Sequence, residues 1–130
     1  MSLRVVRLGT PRHPDEGLRL GTVRRPPRGV PRAEFAVRNY YDVWVPELAP
    51  SPKLFSWAMS QLFTDARWKR FARDYCKEMR APAAAHLIAL LARLSSQTNV
   101  SVGCYCADES RCHRSLLREL MIEAGANVVP

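Results

Sequence analysis

Three cysteines and a histidine fall within one short stretch, Gly103 to Ser115, reading GCYCADESRCHRS. Thiols and an imidazole are the side chains that bind soft metals, attack electrophiles or move protons near neutral pH. Three chemistries suit this group. Cys104, Cys106, Cys112 and His113 could together hold a four-coordinate zinc or iron. Their spacing, C-x-C-x5-C-H, is not the usual pattern of two well-separated pairs. The second chemistry is nucleophilic. Cys106 or Cys112 would be the thiolate, with Arg111 and Arg114 nearby, the dipole of a following helix, and His113 as base. A phosphatase-like loop needs Cys, five residues, then Arg. Counting from Cys106, Arg111 arrives one residue early. The third is anion binding without catalysis. The amides of Ser110 to Cys112, the helix start and Arg114 would cradle a phosphate or carboxylate, with Arg111 and Ser115 beside them. A purely structural alternative makes the cysteines small buried hydrophobes and His113 a satisfied polar group. Asp108 and Glu109 could cap the helix, pair with Arg111 or orient His113. At helical spacing, Arg111, Arg114 and Arg118 would form one charged stripe.

The elements that must position these residues are a strand before them and a helix after them. Val100-Ser101-Val102 is a β-branched run leading into Cys104 and Cys106. Leu116, Leu117, Leu120, Met121 and Ala124 then recur at helical spacing until Gly125. A strand that delivers its end to a helix start is where open α/β sheets bind ligands. Upstream, Ala83–Leu94 reads as an apolar helix. Thr64-Asp65 and Ser51-Pro52 read as starts of two more, the second with a capping serine before proline. Leu3–Leu8 and Leu18–Val23 read as strands. Asn39–Val45 is a strand or ordered loop, and Asn127–Pro130 an edge strand. Thr10–Gly17 and Arg24–Arg32 are too rich in proline for regular structure. Tyr40, Tyr41 and Trp44 are expected in the core, and His86 at a core or interface position. His13 is expected in solvent.

The chain has 130 residues, a formal charge of +8 and 47% hydrophobic residues, which fits one domain spanning 1–130 with one ordinary core. The basic excess lies early: residues 1–40 carry nine arginines against Asp15, Glu16 and Glu34. Such a charge suits anionic partners, either a small ligand or a nucleic acid met by the Arg-rich first third. Arg24, Arg25 and Arg28 stand in a proline-stiffened loop that would preorganise them for an anion. No window approaches the length of a membrane span, and the first residues do not form a signal peptide. The expected setting is cytoplasmic, without membrane contact, and there thiols stay reduced.

Two stretches resemble the domain-of-unknown-function 488 family, also called YeaO-like. Asp15-Glu16-Gly17, Arg24 and Pro27-Arg28-Gly29-Val30 resemble its N-terminal segment, with Val23, Arg25 and Pro26 in place of the family's Asp, Leu and Trp. Cys106-Ala107-Asp108-Glu109 through Cys112-His113-Arg114-Ser115 resembles its C-terminal motif. The resemblance implies a compact α/β domain without a settled activity. The expectation is therefore a three-layer α/β fold, with a small, mostly parallel sheet flanked by helices. The site would lie at the carboxyl edge of the strand from Val100 to Cys106, joined by the Arg24–Arg28 loop.

Overall fold

A computed structural model describes all of residues 1–130. The four strands are β1 (Leu3–Arg7), β2 (Leu18–Gly21), β3 (Val43–Trp44) and β4 (Val100–Cys104). Helices α1 (Pro52–Met59), α2 (Asp65–Glu78) and α3 (Pro82–Leu94) lie between β3 and β4, and α4 (His113–Glu123) follows β4. Every pairing is parallel and the order is β1-β4-β2-β3, so β4 runs between the two N-terminal strands. The α/β class and the parallel sheet are as expected. At the C-terminus the edge strand shrinks to one bridge, Leu3 to Val128.

The strand register explains the two faces of the sheet. Leu3, Val100 and Leu18 are in register, as are Val5, Val102 and Leu20. Alternation sends these rows to one side. There Leu3, Leu20, Val100 and Val102 pack with Leu54 of α1, Phe71 and Tyr75 of α2, Ile88 and Leu91 of α3, and Leu117 and Met121 of α4. Each such side chain contributes about 1.5–3 kcal/mol when fully buried. The helix starts follow their caps. Ser51 Oγ accepts from the Leu54 amide and Thr64 Oγ1 from the Arg67 amide, both at 3.2 Å.

The opposite face carries the row Arg4, Ser101, Arg19, then the row Val6, Gly103, Gly21. Its covering layer is made of loops and a 3-10 turn at Arg32–Glu34, not of α-helices. This layer lies directly on the backbone. A Cβ on Gly103 would fall 2.7 Å from Leu8 Cδ2 in that layer, and as close to the Val6 carbonyl oxygen of β1, and one on Gly21 would fall 2.3 Å from the Tyr41 ring. Glu16 and Arg19 anchor the loops from inside. Arg19 is fully buried and Glu16 is 3% exposed. Arg19 donates to both Glu16 oxygens, at 2.9 and 2.8 Å, and to the carbonyls of Thr10 and Asn39. Ser101 Oγ and the His13 amide donate to the same carboxylate.

The core placements of Trp44 and His86 are not borne out. Trp44 is 42% exposed because β3 is a two-residue edge strand; its indole N–H still donates to the Val23 carbonyl at 2.7 Å. Tyr41 is buried and Tyr40 half-buried, as the sequence suggests. His86 is exposed. Helix α3 buries Ala84, Ile88, Leu91 and Ala92, and two residues past Ala84 is about 200° around the helix. His13 is exposed as expected. No helix is long and apolar enough to cross a membrane.

Candidate functional site

Strand β4 ends at Cys104, and the chain then turns through Tyr105 and Cys106 into a 3-10 turn at Glu109–Arg111. Cys112 is the N-cap residue of α4 and His113 its first residue. This excursion folds back on itself. The Sγ atoms of Cys104, Cys106 and Cys112 all lie within 4.8 Å of one another. Cys104 and Cys112 are buried, with sulfurs 2.8 Å apart, while Cys106 is exposed.

The electrostatics separate the three thiols. The close approach of the Cys104 and Cys112 side chains pulls the Cys106 pKa far below the ordinary thiol value, with positive potential from Arg114 adding to this. The same contacts work in reverse on the buried pair. Contact with Cys106 raises Cys104 to about 11. Contact with Cys104 and Cys106, and burial, raise Cys112 further still. One thiolate, on the exposed sulfur, backed by two thiols is the arrangement these shifts favour.

His113 is buried, and burial lowers its pKa, so the ring is neutral. Its Nε2 lies 2.6 Å from the carbonyl oxygen of Thr22. A carbonyl can only accept, so Nε2 carries the proton and Nδ1 is left with a lone pair. That lone pair faces Cys112 Sγ at 3.6 Å, so the one Cys112 proton has Nδ1 and the Cys106 sulfur as alternative acceptors. His113 therefore serves Cys112, and the three-sulfur group forms without it.

The cations are disposed differently from the sequence expectation. Arg114 is buried and donates to the Cys106 carbonyl at 2.9 Å, so it holds the loop in place. Its Nε has no partner, with Glu109 4.0 Å away. Glu109 instead binds Arg118 through both oxygens. Asp108 accepts from the amide and hydroxyl of Ser110, capping the 3-10 turn and not α4. Ser115 Oγ donates to the Cys112 carbonyl at 2.9 Å, a bond within the helix turn. Arg111 belongs to the 3-10 turn, so it does not continue an α4 stripe with Arg114 and Arg118. It pairs with Asp65.

A hollow of about 470 Å³ opens beside the thiols, and Cys104, Cys106, Cys112 and His113 line it. Its walls are largely apolar, with Phe55, Phe63 and Phe71 among them. Arg24, Arg25 and Arg111 also line it. Arg24 donates to the carbonyls of Pro50 and Pro46, both at 2.9 Å, which ties the proline loop to the start of α1. Arg25 has no carboxylate partner, and its guanidinium lies over the Phe55 ring at 5.4 Å. Arg28 is exposed and away from the hollow. Sequence reasoning passed over the phenylalanines and did not set Arg25 above Arg24 and Arg28. Arg25 sits between Arg24 and Arg28 in the same loop, and only the fold distinguishes them.

Searches of curated proteins and of solved structures find no match to this chain. A family model, DUF488-N3a, described as the active DUF488-N3 subclade, matches residues 3–125, which include both β4 and the thiol junction. With that match running almost end to end, the chain belongs to the DUF488 family, in its active DUF488-N3 subclade.

Proposed function

We propose that this domain binds a small ligand bearing a carboxylate or phosphate in the hollow beside the thiols, and that Cys106 acts there as a nucleophilic thiolate. The observation that carries the reading is the convergence of three sulfurs on one exposed position, Cys106, at the wall of a cavity. Cys104 and Cys112 stabilise the thiolate as hydrogen-bond donors. Arg114 fixes the Cys106 backbone as a positioning residue, and His113 orients Cys112. Arg25 is the free cation for the ligand's charge, and the phenylalanines take its apolar part. A reducing, cytoplasmic setting fits a site that needs free thiols.

The experiment compares alkylation of Cys106 by iodoacetate and by iodoacetamide, each rate set against that of a free cysteine. In both reactions the thiolate displaces iodide from carbon. The proposal expects Cys106 to favour the anionic reagent more than free cysteine does, and Arg25→Gln to abolish the preference. Equal treatment of the two reagents would remove the anion from the reading.

The same sulfurs favour a second reading, a thiophilic metal such as zinc or iron held by Cys104, Cys106 and Cys112. Three sulfur donors suit either metal. Metal analysis of the purified protein distinguishes the two. A stoichiometric metal that is lost in Cys104→Ser, together with Cys106 that resists alkylation until a chelator is added, supports the metal centre.

A further inference from the structure

We propose a second ligand site at the β1 edge of the sheet, built to take a small oxyanion. A cavity of about 300 Å³ lies there, and it shares no lining residue with the thiol hollow. Four guanidiniums line it, from Arg4, Arg7, Arg19 and Arg118, with Glu16 as the one carboxylate side chain. Arg19 and Glu16 neutralise each other. Arg118 is spent on Glu109 and on the Val129 carbonyl. Arg7 makes one bond, from Nε to the Tyr105 carbonyl at 3.3 Å. Arg4 makes none, and its Nε is buried without an acceptor.

That last feature carries the proposal. A buried N–H left unpaired is costly, more so when the group is charged, and folded proteins rarely leave one without cause. Nε is closed to solvent, but the two terminal nitrogens of the same guanidinium also lack partners and are not sealed, so a ligand in the cavity can supply their acceptor. Two cations, Arg4 and Arg7, have no carboxylate side chain as partner, since Glu16, the one carboxylate side chain of the cavity, is already bound to Arg19. The volume suits a phosphate or a short carboxylate, and planar guanidiniums match both.

The test is calorimetric titration of the full chain with inorganic phosphate and, separately, with succinate. Saturable binding of at least one is expected. Arg4→Gln should weaken it by about tenfold or more, the loss of one charged hydrogen bond. Arg25→Gln, in the other hollow, should leave the Arg4-dependent component of binding unchanged, whatever it removes at the thiol site. The relative response to the two titrants states whether phosphate or carboxylate is preferred. On the wild-type protein, amide NMR signals of Arg4, Thr10 and His13 should shift with the same saturation curve, a readout that does not depend on how the variants fold. No saturable binding of either anion, or binding that survives Arg4→Gln and disappears in Arg25→Gln, would overturn the proposal.

Discussion

His113 Nε2 sits 2.6 Å from the carbonyl oxygen of Thr22, the residue that follows β2. The contact ties the start of α4 to the neighbouring strand and sets the tautomer. It makes the imidazole part of the scaffold that holds Cys112. His113→Ala should cost about 1–3 kcal/mol in urea denaturation, because the Thr22 carbonyl loses its donor in a buried place. His113→Gln should recover part of that loss if its amide nitrogen reaches the same oxygen.

The same ring makes stability depend on pH. Burial lowers the folded pKa of His113 below its ordinary value of 6.5. The unfolded chain then takes up a proton that the folded one refuses. The contribution is present above pH 6.5 and is lost as pH falls from there towards the folded value. Denaturation midpoints measured across that window should drop in the wild type and drop less in His113→Gln.

Glu16 makes a different demand. Burial works to raise its pKa, but the hydrogen bonds from Arg19 and from the His13 amide outweigh it and leave the value lowered. A lowered carboxylate contributes stability above its unfolded pKa and loses it as pH falls through the folded one, so this loss belongs to the acid range below about 4.5. Glu16→Gln leaves the Arg19 charge buried without its partner. It should cost about 3–5 kcal/mol by chemical denaturation.

Gly103 stands one residue before Cys104, where the loop layer touches the sheet. Gly103→Ala forces a methyl against the Val6 carbonyl, and backbone cannot swing aside as a side chain can. A loss of about 1–3 kcal/mol is expected in thermal or chemical denaturation, with slower alkylation of Cys106 because β4 delivers that loop.

The sequence made the chain's order of strands and helices readable because each element carries local signals: Ser51-Pro52 and Thr64-Asp65 start helices, and Gly125 ends one. It also pointed to the thiol junction, since Cys104, Cys106 and Cys112 are close in the chain as well as in space. It could not say which arginines reach the hollow. Arg24, Arg25 and Arg28 look alike in a proline loop, yet one is tied to carbonyls, one lies over Phe55 and one faces solvent. Nor did it reveal the Glu16–Arg19 pair as the anchor of the loop layer, because burial of both depends on Asn39, Thr10 and Ser101 arriving from elsewhere. Trp44 and His86 misled for a related reason: aromatic or apolar neighbours in sequence do not reveal which side of an element is covered.

The most direct test of the account is the rate of Cys106 alkylation against pH, followed by mass spectrometry of each cysteine. Cys106 should react well below pH 8 and ahead of Cys76, Cys104 and Cys112, and Cys104→Ala or Cys112→Ala should move its profile upward towards that of an ordinary thiol. A profile already ordinary in the wild type, or one indifferent to both substitutions, would contradict the claim that two buried thiols hold a thiolate between them.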